Sequence, residues 1–213
     1  MKRSDRMHGG IFGGAIGDAL GVPVEFCSRA SLDENPVADM RSGGVHNQVE
    51  GTWSDDSSLT FCLMQSLLSG KVDLDDIAGK FLSWLRYGYW TPHGTVFDRG
   101  IATTEALVRF EKGSKAELSG GMDEFDNGNG SLMRILPLVF ITGEMSVAKR
   151  YELVKKVSSI THMHFRSVFA CFIYTEYARI LLTGVDKFEA YELMLKEVKQ
   201  FISVNDFNPN EIN

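Results

Sequence analysis

Proline falls at positions 23, 36, 92, 137 and 209, so none lies between Leu138 and Asn208. A stretch of that length without a helix breaker, carrying apolar residues three and four apart, reads as one helix after another. One helix is predicted over Tyr151–Ile160 after a start at Ser146. A second covers His164–Leu182, with Val168, Phe172 and Tyr174–Ile180 at helical spacing, and a third covers Phe188–Val204 through Leu193, Leu195, Val198 and Phe201. Upstream, Ser54–Leu68 places Leu59, Cys62, Leu63 and Leu67 on one stripe. Asp73 opens a helix whose inner face is Ile77, Phe81, Leu82 and Leu85, and Thr95–Phe110 is a further helix. The period-two alternation that a sheet requires is missing throughout. The expectation is an all-α fold of about eight helices, counted from these patterns.

Composition narrows the function classes. Across 213 residues, 22 Lys+Arg against 28 Asp+Glu leave a net charge of −6, and 44% of residues are apolar. That is globular composition without the basic footprint of a nucleic-acid or anionic-membrane binder. Cys27, Cys62 and Cys171 form no CxxC pair and leave one thiol over in any disulfide scheme, which fits a reducing cytoplasm. Basic residues precede the apolar stretch near the N-terminus, but Asp18 interrupts it and glycine fills it, so neither an export signal nor a membrane span is expected. No linker divides the chain, and one domain over 1–213 is expected. Three long loops, Ser28–Gly51, Tyr87–Gly94 and Gly113–Gly130, stand out as places for function.

Four segments carry chemistry. Gly10, Gly14, Gly17 and Gly21 recur along one helix face. Each interior glycine costs roughly 1 kcal/mol against alanine, which predicts the close approach of another helix backbone. Asp18 within that helix and Glu25 just beyond it are costly to bury unless paired or metal-bound. Ser54-Asp55-Asp56 opens a helix and has two readings. Ser54 is a good N-cap and two aspartates complement the helix dipole, yet the same oxygens converge as a shell for a hard divalent cation. Asp126-Asn127-Gly128-Asn129-Gly130-Ser131 offers turn amides for phosphate or sugar hydroxyls, or is a plain turn with Ser131 as a cap. Thr161-His162-Met163-His164 lacks zinc-type spacing, and its histidines suit capping or structural hydrogen bonds.

Together, Gly13-Gly14-Ala15-Ile16-Gly17-Asp18-Ala19-Leu20-Gly21 with Glu25, Trp53-Ser54-Asp55-Asp56-Ser57, Val96-Phe97-Asp98-Arg99-Gly100, Asn129-Gly130-Ser131-Leu132-Met133-Arg134 and Thr161-His162 resemble the ADP-ribosylglycohydrolase family, in this order along the chain. The resemblance implies a compact all-α multi-helix orthogonal bundle around a binuclear Mg²⁺ or Mn²⁺ centre. It implies a hydrolase that removes ADP-ribose from modified protein side chains at an N- or O-glycosidic bond. The partner is then an ADP-ribosylated protein or an ADP-ribose-containing small molecule. Ser54, Asp55 and Asp56 match the family's metal ligands, Glu25 matches its acid beside the metals, and Glu25 or Asp56 is the proton-transfer group. Asn129, Gly130 and Ser131 match the loop around ADP-ribose, and His162 matches a histidine of the same cleft. The family's second ligand group, Asp-x-Asp-Ser/Thr, has no counterpart: after Asp126 the only aspartates are Asp186 and Asp206. The resemblance therefore implies a domain incomplete at its C-terminus, or a short form with half a metal centre. The alternative function is a non-catalytic ADP-ribose-binding or structural member of the same fold.

Overall fold

The computed structural model describes residues 2–208 and residue 211. Among them run eight α-helices: α1 (Arg3–Gly21), α2 (Arg29–Glu34), α3 (Asp55–Leu67), α4 (Leu74–Tyr87), α5 (Ile101–Glu111), α6 (Val147–Ser159), α7 (Phe165–Leu181) and α8 (Lys187–Ser203). No strand occurs among the described residues, and two isolated bridges, Gly43 with Gln48 and Gly121 with His162, are the only extended pairings. The all-α expectation holds.

Helix α7 organises the interior because it is apolar on nearly every side, which requires neighbours all round. It packs against α6, α8 and the 3₁₀ turn Leu136–Phe140. The Phe172 ring of α7 meets Tyr151 of α6 at 5.3 Å and Phe201 of α8 at 5.1 Å. Leu59 and Leu63 of α3 and Ile77, Phe81 and Trp84 of α4 join the same continuous core. One acid interrupts α7: Glu176 is buried, and Arg150 grips both its oxygens at 2.6 Å while Arg179 adds a second partner. A buried charge is tolerated only with such saturation.

Three departures from the sequence reading have local causes. Residues 95–100 lie outside α5, because Asp98 adopts a left-handed backbone (φ 47°) and Gly100 takes the N-cap. Beyond Ser131 the chain makes two 3₁₀ turns, Leu132–Arg134 and Leu136–Phe140, with Pro137 removing an amide that an α-helix would use. The 28–51 loop contains the short helix α2, capped by Ser28. Asp73 caps α4 by accepting from the Asp75 and Asp76 amides at 3.0 Å, as its position implied.

The glycine face of α1 does not meet another helix backbone. A β-carbon on Gly14, Gly17 or Gly21 would touch nothing within 4 Å, and one on Gly10 would reach only the Leu136 side chain at 3.4 Å. That face is instead one wall of a cleft of about 340 Å³, with α3 opposite and Met133, Leu136 and Tyr174 completing the lining. No helix among the described residues is long and apolar enough to cross a membrane.

Candidate active site

Asp18 decides how the start of α3 is built. Its carboxylate accepts from the Ser54 amide at 3.0 and 3.1 Å, from the Ser57 amide at 3.1 Å and from the Ser57 hydroxyl at 2.6 Å. The Asp56 amide donates to the Ser54 hydroxyl at 3.3 Å. The N-terminal amides that a helix leaves open are thus taken by Asp18 and Ser54. The Asp56 and Ser57 amides are therefore not capped by Asp55 or Asp56.

Asp55 is nevertheless buried, and Asp56 lines the cleft beside Asp18. Burial, reinforced by the charges of Asp56, Asp98 and Asp18, pushes the Asp55 carboxyl up to about 8. Burial and the charge of Asp18 push Asp56 up to about 6, with Asp98 and Glu25 adding to the repulsion. Acids that repel one another in a desolvated pocket call for a cation. The donors at 54–56 are all oxygen, the set that hard divalent ions such as Mg²⁺ and Mn²⁺ prefer. These residues therefore fit a divalent ion on the chemistry of the donor set.

Glu25, expected beside the metals, lies just past the 3₁₀ turn Val22–Val24 and pairs with His46 Nε2 at 2.6 Å. Its charge reaches Asp56. The 3₁₀ turn Leu132–Arg134 that follows the 128–131 loop packs on α3, where the Thr60 hydroxyl bonds Asp56 O at 2.8 Å and reaches Met133 O at 3.5 Å. Three buried or half-buried groups hold this loop from behind. Ser167 donates to Gly128 O at 3.1 Å, Arg134 to Gly130 O at 2.6 Å, and the Ser158 hydroxyl to the Ser131 hydroxyl at 2.8 Å.

The four residues expected to meet a ligand divide accordingly. Asn129 is exposed and Gly130 half-buried. Ser131 is fully buried, its hydroxyl packed against Ser158 and the Cys171 thiol. His162 is also buried, its Nδ1 at 2.8 Å from the Thr161 hydroxyl, and burial pushes its pKa down to about 4, so the ring is neutral. Both side chains are buried and bonded within the protein. A β-carbon on Gly130 would lie 2.6 Å from His162 Cε1 and 3.0 Å from Thr103 Oγ1. Gly130→Ala is therefore expected to destabilise the protein by about 1–3 kcal/mol through overpacking, as urea unfolding would measure.

His46 and Asp98 were not among the expected site residues, yet both stand beside Glu25, their ligand atoms within 4.8 Å of one another. Their positions come from loop geometry, which no periodicity records. A separate apolar cleft of about 370 Å³, lined by Met7, Ile11, Met64, Leu68 and Phe140 among others, contains no acid.

The sequence matches the family described as ADP-ribosylglycohydrolase over residues 1–210. It is 34% identical over 186 residues to the ADP-ribosylarginine hydrolase Tri1 of Pseudomonas putida (strain GB-1), covering 87% of this chain and 49% of the relative. It is 30% identical over 171 residues to the ADP-ribosyl-dinitrogen reductase glycohydrolase of Rhodospirillum rubrum, covering 78% of this chain and 54% of that protein. The chain thus spans about half the length of the curated relatives it matches. A solved structure titled ADP-ribosylglycohydrolase-related protein complex superposes with a TM-score of 0.76 at 31% identity, covering 92% of this chain and 62% of that one. With the same helical fold and a match along nearly its whole length, the chain belongs to the ADP-ribosylglycohydrolase family.

Proposed function

We propose that this protein hydrolyses the bond between the anomeric carbon of ADP-ribose and a modified side chain, arginine being the linkage named for the relative in Pseudomonas putida. The observation that carries the reading is the pair of mutually repelling acids at the start of α3, Asp55 buried and Asp56 half-buried, while Ser54 and Asp18 take the Asp56 and Ser57 amides. Ser54, Asp55 and Asp56 would hold a divalent ion, Mg²⁺ or Mn²⁺. When bound, such an ion supplies charge neutralisation and orientation of the ribose hydroxyls and of a water.

The remaining work falls to side chains. Asp18 fixes the start of α3 by binding the amides of its N-cap Ser54 and of Ser57, so the 54–56 oxygens are held before substrate arrives. Glu25 or Asp56 takes the proton of the attacking water, and a proton is returned to the departing side-chain atom as the glycosidic bond breaks. Negative charge around the anomeric carbon stabilises the oxocarbenium character of the transition state. Asn129 and Gly130 receive the ADP-ribose, while Ser131 and His162 keep their turn in place from within. The wall of α1 adds little bulk because its glycines carry no side chains, which leaves the cleft open.

The direct test is release of free ADP-ribose from ADP-ribosylated arginine, followed chromatographically with Mg²⁺ or Mn²⁺ present. Metal-dependent release abolished by EDTA is expected. Tight binding of ADP-ribose without release would instead favour the non-catalytic member of the fold.

A further inference from the structure

Glu25, His46 and Asp98 come from three loops that have no sequence relation to one another. Each offers one ligand atom, and the three atoms lie within 4.8 Å of one another. His46 Nε2 already stands 2.6 Å from Glu25 Oε2. An ion at about 2.1 Å from each donor would draw them to roughly 3–4 Å from one another, a small adjustment from the observed arrangement.

The loop that carries His46 is rigidly fixed. Gly43 and Gln48 exchange backbone hydrogen bonds of 2.8 and 3.2 Å, closing a tight turn around residues 44–47. Gly44 sits at φ 71°, and a β-carbon there would fall 2.6 Å from Pro23 O. Only glycine lets this turn press against the Val22–Val24 segment, and that contact sets His46 beside Glu25. On its other side the imidazole meets the Phe97 ring at 5.3 Å, and Asp98 follows directly in a left-handed conformation. A preformed nitrogen donor between two carboxylates, backed by an aromatic ring, is more than a surface ion pair needs.

We propose that Glu25, His46 and Asp98 form a divalent-cation site distinct from the 54–56 group, suited to a borderline transition ion such as Zn²⁺, with Mn²⁺ entering it as a spectroscopic probe. The imidazole nitrogen sets the preference, because Mg²⁺ and Ca²⁺ favour all-oxygen shells. The ion would place positive charge where Asp98 and Glu25 now add to the repulsion felt by Asp55 and Asp56. The site does not depend on the hydrolase reading, and its test does not use turnover.

Metal-stripped protein is loaded with Mn²⁺ and examined by pulsed electron paramagnetic resonance for ¹⁴N coupling from a ligating imidazole. Coupling is expected in the wild type and in the Asp55→Asn/Asp56→Asn double variant, and its loss in His46→Gln. Calorimetry with Zn²⁺ should show binding at least about tenfold weaker in His46→Gln, since losing a ligand costs no less than losing its supporting partner. Asp98→Asn should weaken Zn²⁺ binding while retaining the ¹⁴N signal at higher Mn²⁺. Absence of ¹⁴N coupling in the wild type, or its persistence in His46→Gln, would overturn the proposal and leave His46 as an ion-pair partner of Glu25 only.

Discussion

Replacing Asp55 and Asp56 together by asparagine is expected to lower kcat/KM for ADP-ribose release by about 10³-fold or more, since the groups proposed to hold the ion are removed. The same change should stabilise the metal-free protein at pH 8, by about 2 kcal/mol or more, because two crowded charges disappear from a desolvated site. Opposite signs for activity and stability set this account apart from a capping role. If the two acids served mainly the dipole of α3, their loss would cost stability, typically about 0.5–1 kcal/mol, and leave turnover untouched. Thermal melts in EDTA together with the release assay would separate the two cases.

Arg134→Ala is expected to cost about 3–5 kcal/mol, the range for removing a fully buried charged group whose partners remain. The Arg134 side chain is completely inaccessible, and its guanidinium donates to Gly130 O at 2.6 Å, Thr161 Oγ1 at 2.8 Å and Val157 O at 3.4 Å. It stacks over the Phe81 ring at 4.5 Å. Burial pushes its pKa down to about 10, still well above neutrality, so it remains a cation with Asp55 within electrostatic reach. Alanine would leave a cavity and several unmatched acceptors, and would free the turn at Gly130. Arg134→Met keeps most of the volume and should recover part of the loss. Urea denaturation measures both; equal stability for the two variants would show that the polar contacts, and not volume, set the cost.

The helices were legible because burial imposes a period: Ile77, Phe81 and Leu85 recur at fours, and each faces the core. The oxygen group at 54–56 was legible for the same local reason, since a helix start brings adjacent side chains together. Contacts between distant segments were not. Nothing around Asp18 in the sequence announces that it binds the amides of a helix 36 residues away. The glycines of α1 looked like a packing face because spacing alone cannot tell contact with a helix from contact with an open cleft. Ser131 and His162 carry groups suited to ligand binding, and their burial at 0% and 3% follows from long-range packing that local sequence does not record. His46 depends on one close approach, Gly44 on Pro23, which leaves no periodic trace.

The central claim is that Asp55 sits as an uncompensated acid in a pocket shaped for a cation. An acid whose pKa is raised on folding holds its proton more tightly in the folded state, so stability falls as pH climbs from its ordinary value of 3.8 towards about 8. Asp56 contributes in the same sense only up to about pH 6. His162, lowered from 6.5 to about 4, acts in the opposite sense below 6.5. Among the resolved shifts, Asp55 therefore acts alone between pH 6.5 and 8. Thermal unfolding of the metal-free protein across that window should show a loss of about 2 kcal/mol, roughly 5 °C for a chain of this size. Saturating Mn²⁺ should remove the loss and raise the melting temperature most at pH 8, since the ion binds the deprotonated carboxylates. Stability that is flat or rising from pH 6.5 to 8, and unmoved by Mn²⁺, would contradict the account.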